Sequence, residues 1–127
     1  MTFSKLQIGL IIVVILIIAV FSLSVTGNLP GAKKYDEFAK CLSAKGAVMY
    51  GAFWCPHCKA QKQEFGRSWA YINYIECSTA DGKEQTTICK QADIKSYPTW
   101  EFADGKRIAA NLPLERLSVQ TGCPLPP

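Results

Sequence analysis

Two cysteines separated by two residues stand mid-chain in Trp54-Cys55-Pro56-His57-Cys58. The thiolate is the reactive form of cysteine, so a pair working in disulfide exchange needs one thiol of lowered pKa. The run Ala47-Val48-Met49-Tyr50-Gly51-Ala52-Phe53 leads directly into the motif. A short, continuous apolar run of this kind suits a strand buried on both faces of a sheet. Pro56 then occupies the place of a first helical residue, and Lys59 to about Trp69 continues the helix. Cys55 therefore falls at a helix N-terminus, where the dipole and the free backbone N–H groups favour negative charge. The neighbouring His57, when protonated, would attract the thiolate as well. Two intervening residues bring Cys58 back over the same helical turn, from which it can attack a mixed disulfide at Cys55. The expectation is an exposed nucleophile Cys55, a less exposed resolving thiol Cys58, and Trp54 covering the site.

Other uses of the pair fit less well. Half a zinc site would want a second close pair, and Cys77 and Cys89 do not supply one. No metal is expected on this spacing. Haem attachment needs His directly after the second Cys, where this chain has Lys59. An inert structural disulfide would leave the helix N-terminus and His57 without a purpose. A different class of reading is a non-catalytic tethered module that binds metal through Cys55 and Cys58, or docks a partner beside Pro98.

The 127 residues are room for one ordinary domain. From Leu6 to Val25 there is no Lys, Arg, Asp or Glu, and 16 of 20 residues are apolar. A bilayer core needs about 20 such residues in a helix. The stretch reads as a retained membrane anchor rather than a cleaved signal peptide. It exceeds the usual apolar core of such a peptide, Ser22 and Ser24 make a poor cleavage site, and a Gly27/Pro30/Gly31 linker follows. The domain organisation is then an anchor over 1–26, a linker over 27–33, a domain over 34–123 and a tail over 124–127. Six cysteines behind such a segment point to an oxidising compartment, the periplasm or an equivalent lumen. The net charge of +4 is spread among ten acids and carries no basic block, which argues against nucleic acid as a partner.

Around the motif, Tyr35, Phe38, Ala39 and Leu42 recur at helical spacing across Lys34 to Lys45, and Gly46 ends that helix. Tyr71 to Cys77 reads as a strand. Asp81-Gly82-Lys83-Glu84 resembles a capped helix start, the helix carrying Ile88, Cys89 and Ala92. Thr99 to Ala103 and Lys106 to Ala110 are strands joined by the hairpin signal Asp104-Gly105. Pro113 opens a last helix and Gly122 closes it. A strand–helix–strand unit followed by a hairpin gives an α/β domain: a central mixed sheet with helices on both faces.

These residues bear a family resemblance. Trp54-Cys55-Pro56-His57-Cys58 after an apolar strand, with Tyr97-Pro98-Thr99 further on, resembles the thioredoxin superfamily. The Pro-His dipeptide is that of the periplasmic oxidant DsbA. The segment Met49 to Cys58, Gln61-Lys62, Phe65-Gly66, Tyr74-Ile75-Glu76-Cys77 and Tyr97-Pro98-Thr99-Trp100-Glu101 resemble more closely the thioredoxin-like domain fused to bacterial and plant homologues of vitamin K epoxide reductase. The resemblance implies a thioredoxin-like fold and a protein-disulfide oxidoreductase whose only redox group is the Cys55–Cys58 disulfide, with no other cofactor. It implies a cis Pro98 against that pair, with the Tyr97 backbone offered to a substrate strand. It implies a structural disulfide between Cys77 and Cys89. It implies protein thiols and disulfides as substrates, and a membrane quinone-linked oxidoreductase as the partner that re-oxidises the domain.

The chain also departs from the pattern. Met49 replaces the buried acid that many thioredoxins carry six residues before the first Cys. Cys41 and Cys123 match nothing in the family: they could pair, join two chains or stay free, and an oxidising compartment favours the intrachain bridge. Trp69, Trp100, Phe38 and Phe53 read as core or core edge. Glu76 and Glu101 read as a solvated strand face rather than proton carriers, and Lys59 and Lys62 as surface charges.

Overall fold

A computed structural model describes the backbone over Lys5–Ser24 and 34–127. The expected linker, 27–33, lies outside the described residues, as do 1–4 and 25–26 of the expected anchor. The chain divides into two units, Met1–Ala32 and Lys33–Pro127. Among its described residues the first holds one helix, α1, over Lys5–Ser24, whose side chains are described from residue 7 to 18. Among the described residues no helix is long and apolar enough to cross a membrane.

The second unit runs α2 (Asp36–Ala44), β1 (Val48–Gly51), α3 (Pro56–Phe65), a 3₁₀ turn (Gly66–Tyr71), β2 (Asn73–Glu76), α4 (Thr87–Gln91), β3 (Thr99–Glu101), β4 (Arg107–Ile108) and α5 (Leu114–Thr121). The sheet order is β2-β1-β3-β4. β1 pairs parallel with β2 and antiparallel with β3, and β3 pairs antiparallel with β4. The mixed sheet expected from the element order is the one observed.

Alternation along β1 divides the core in two. Met49 stands level with Tyr74 on one side and Trp100 on the other, so these three form a row across one sheet face. On that face lies the main core, which adds Phe38 and Leu42 of α2, Cys58 and Phe65 of α3, and Leu114 and Leu117 of α5. A smaller cluster of Tyr50, Cys77, Cys89 and Ile94 includes the Cys89 side chain of α4. Gln61 is a polar member of the main interior, with no exposed surface. Its Nε2 donates to the Leu112 carbonyl at 2.9 Å, and its Oε1 accepts from Leu112 N at 2.7 Å and Trp100 Nε1 at 3.1 Å. A buried amide is tolerated only when so satisfied, and here it ties α3 to β3 and to the chain entering α5.

Four expectations need correction. The motif helix does not run on to Trp69. It stops at Phe65, where Gly66 takes φ +55° and a 3₁₀ turn follows, so the next strand starts at Asn73 rather than Tyr71. Asp81 does not cap a helix: its carboxylate accepts from Thr79 Oγ1 at 2.6 Å and Lys83 N at 3.2 Å in a turn with Gly82 at φ +73°. Local side-chain bonds of this kind compete with helix initiation, and α4 begins only at Thr87. The hairpin strands are shorter than expected, because Phe102 to Lys106 is already the turn; Gly105 supplies its φ of +78°. Phe53 is not core: it is 46% exposed, because the chain leaves the sheet after Gly51.

Candidate active site

Strand β1 hands the chain to α3 through a tight connection in which Cys55 N donates to the Ala52 carbonyl at 3.0 Å. Cys55 is the N-cap of α3 and Pro56 its first residue. The fixed φ of proline suits that place, and its missing N–H costs nothing there. Cys58 N donates to Cys55 Sγ at 3.4 Å, so the sulfur does the capping. Both cysteines are in the dithiol form. His57 is exposed beside the site.

The expected contrast in exposure is smaller than the sequence suggests. Cys55 keeps 4% of its surface and Cys58 none, so the first thiol is not openly exposed. On its outer side the Cys55 thiol donates to the Tyr97 carbonyl at 3.6 Å, across the cis Tyr97–Pro98 bond. Trp54 is half exposed; its Nε1 donates to Ser78 Oγ at 2.9 Å and its ring meets that of Tyr97 edge-on at 6.0 Å. Tyr97 is braced from behind by Gln85 Nε2, which donates to its hydroxyl at 2.8 Å.

Burial pushes the Cys58 thiol up to about 12, and its hydrogen bond and proximity to Cys55 act in the same direction. The Ala52 backbone and Lys62 oppose that rise. Beneath the sulfur lies Gly51, where a Cβ would stand 2.9 Å from Cys58 Sγ and 2.9 Å from Tyr74 Cε2. The absent side chain is what lets the thiol and the ring approach the strand. Met49, in the place of the acid, is fully buried against the same spot.

Several contributors to this geometry are not legible as site residues. Glu76 is no free strand-face acid. Its Oε1 accepts from Phe53 N at 3.1 Å and Ser78 N at 3.0 Å, and its Oε2 from the Tyr74 hydroxyl at 2.8 Å. It thereby holds the backbone just before the motif and the loop that carries the Trp54 partner. Burial raises the Tyr74 hydroxyl above the ordinary tyrosine range, and Glu76 adds to that. Lys62 is half-buried on aromatic rings rather than free in solvent, its Nζ 3.8 Å from the Tyr74 ring centre and 5.5 Å from that of Trp69. The signal for Gln61 was helical phase: Cys58, Gln61 and Phe65 share the buried face of α3.

The other four cysteines form two bonds. Cys77 is bonded to Cys89, and Cys41 to Cys123, with Cα atoms 5.5 and 5.9 Å apart. The first links the end of β2 to α4, and the second links α2 to the chain after α5.

A strand–Cys-x-x-Cys–helix unit facing a cis-proline loop on a four-stranded mixed sheet defines a class, and the chain belongs to the thioredoxin family, matching it over residues 31–115. Among curated proteins it is similar to the thiol-disulfide oxidoreductase LTO1 of Arabidopsis thaliana, 44% identical over 88 residues, which is 66% of this chain and 23% of that protein. It is also similar to protein disulfide-isomerase A5 of Bos taurus, 31% identical over 74 residues, 53% of this chain and 14% of that protein. The chain thus spans less than a quarter of the length of either relative.

Proposed function

We propose that the domain is a thiol–disulfide oxidoreductase that donates its Cys55–Cys58 disulfide to protein thiols. The observation carrying this reading is the asymmetric pair: Cys55 Sγ caps a helix and borders the Tyr97 carbonyl, while Cys58 lies directly behind it without exposure. A substrate thiolate attacks Cys55 Sγ and the Cys55–Cys58 bond breaks. Cys58 leaves with the electron pair and takes up a proton, as its high pKa favours. A second substrate thiolate then attacks the substrate sulfur of the mixed disulfide, and Cys55 leaves as a thiolate at the helix N-terminus. Two electrons pass to the domain and the substrate gains one disulfide. Tyr97 and Pro98 form the ledge on which a substrate strand would lie.

The setting follows from the same chemistry. Two further disulfides in a domain this small suit an oxidising compartment such as the periplasm or an equivalent lumen. The apolar run Leu6 to Val25 would hold the domain at a membrane, within reach of a quinone-linked oxidoreductase of the vitamin K epoxide reductase type that re-oxidises it.

The test is the reduction potential of the Cys55–Cys58 pair in glutathione buffers, followed by Trp54 fluorescence, with Cys55→Ser as the control. A donor should lie nearer DsbA, about −120 mV, than thioredoxin, about −270 mV, a gap worth about 7 kcal/mol. A value near the thioredoxin end would make the domain a reductant. Unchanged exchange in Cys55→Ser would remove the assignment of the nucleophile.

A further inference from the structure

When the disulfide opens, negative charge develops on Cys58 Sγ, in a place with no solvent contact. A leaving thiolate departs faster the better its charge is stabilised. The groups around it are few. From the turn after β1 there is the Ala52 backbone, from α3 there are Cys55 and Lys62, from β2 there is Tyr74 with the Glu76 carboxylate behind its hydroxyl, and from β1 there are Met49 and Gly51.

Lys62 is the one cation in that set. It follows Cys58 by four residues on α3, a spacing that puts two side chains on the same helical face. Its ammonium is not left to wander. It rests on the Tyr74 ring at 3.8 Å from the centre, with Trp69 on a second side at 5.5 Å, and these two rings meet each other edge-on at 5.5 Å. Cation–aromatic contact of this kind fixes a flexible lysine without neutralising it. The Tyr74 ring that carries the cation is the ring that packs with Cys58 Sγ against Gly51, and Glu76 holds that ring by its hydroxyl.

We propose that Lys62, seated on Tyr74 and Trp69, is a positioning residue for the Cys58 half-reaction, supplying the positive charge that stabilises Cys58 as a leaving group and as a nucleophile. It touches no substrate and is not required for attack at Cys55. In the forward step the substrate–Cys55 bond forms, the Cys55–Cys58 bond breaks, and the departing electron pair rests on Cys58 Sγ beside the ammonium until a solvent proton arrives. In the reverse step the same charge steadies Cys58 as it attacks Cys55 and expels the substrate thiolate.

This rests on the exchange reading, and the test separates the two. The full chain, oxidised at Cys55–Cys58, is reduced with dithiothreitol and its Trp54 fluorescence followed across pH. If the wild type does not react, the exchange reading itself fails. If it does, Lys62→Met should slow reduction about three- to tenfold, as expected for a less stabilised leaving thiolate. Lys62→Arg, which keeps the charge, should stay within about twofold of wild type by the same reasoning. In a Cys58→Ser background, where only Cys55 reacts, Lys62→Met should leave attack on 5,5′-dithiobis(2-nitrobenzoate) within about twofold, because Cys58 charge plays no part there. The proposal is overturned if Lys62→Met matches the wild type, if Lys62→Arg is as slow as Lys62→Met, or if the Cys58→Ser background shows the same slowing.

Discussion

Replacing Gly51 by alanine tests how tightly the Cys58 sulfur is seated. The new Cβ would stand 2.9 Å from Cys58 Sγ, 2.9 Å from Tyr74 Cε2 and 3.3 Å from Met49 Cε. The Met49 methyl is the far end of a flexible chain and can yield. The sulfur moves only by rotation about one bond, and the tyrosine ring is held by Glu76 and by the Lys62 and Trp69 contacts. Overpacking of a filled core costs about 1–3 kcal/mol. Exchanging glycine for alanine returns about 0.4–1 kcal/mol by narrowing the unfolded ensemble. The net expectation is a loss of about 1–2 kcal/mol, which in a domain near 100 residues lowers Tm by roughly 5–15 °C. Circular dichroism melts of the dithiol protein measure it, and the rate of disulfide closure in the same samples should fall as the sulfur is displaced. A Tm within about 2 °C of wild type, with closure unchanged, would mean that the contact at Gly51 does not constrain the thiol.

Two more outcomes follow from the cross-links and the buried Cys58 thiol. Cys41–Cys123 spans 82 residues and Cys77–Cys89 spans 12. In the chain-entropy description, removing them as serine pairs costs about 4–5 and about 3 kcal/mol, so urea midpoints should fall further for the first pair; the reverse order would contradict the argument. Cys58 should make the dithiol domain less stable at high pH. The unfolded thiol ionises near 9.0 and the folded one near 12, so stability is fully present below about pH 9 and is lost as pH rises through about 12. Urea titrations of Cys55→Ser from pH 8 upward should show the decline, and adding Cys58→Ser should remove that part of it.

The features legible in the sequence are those with local causes. The apolar run before the motif, Pro56 at the first helical position and the Asp104-Gly105 turn each impose their geometry on adjacent residues, and the structure has them in those places. Asp81 shows where local reasoning fails: one carboxylate can cap a helix or close a turn, and the short bridge between Ser78 and Gln85 favours the turn. Gln61 and Glu76 are polar residues whose partners lie on Leu112, Trp100, Phe53 and Ser78, and no spacing within their own elements reveals that. Cys41 and Cys123 are open among three states in the sequence. They meet because α2 and the chain after α5 both border the main core, a matter of tertiary packing.

That last bond also decides how the domain carries load. A pull on the polypeptide leading into α2 reaches Cys41 and crosses to Cys123, only 5.9 Å away between Cα atoms, before it reaches β1. Tension between the two flanks therefore runs through one covalent link at the rim. The sheet, the motif helix and the proline loop all lie within the loop that this link closes. A tether could tug at such a domain, or another polypeptide extend from its far flank, without drawing apart the motif helix and the proline loop that flank the Cys55 thiol.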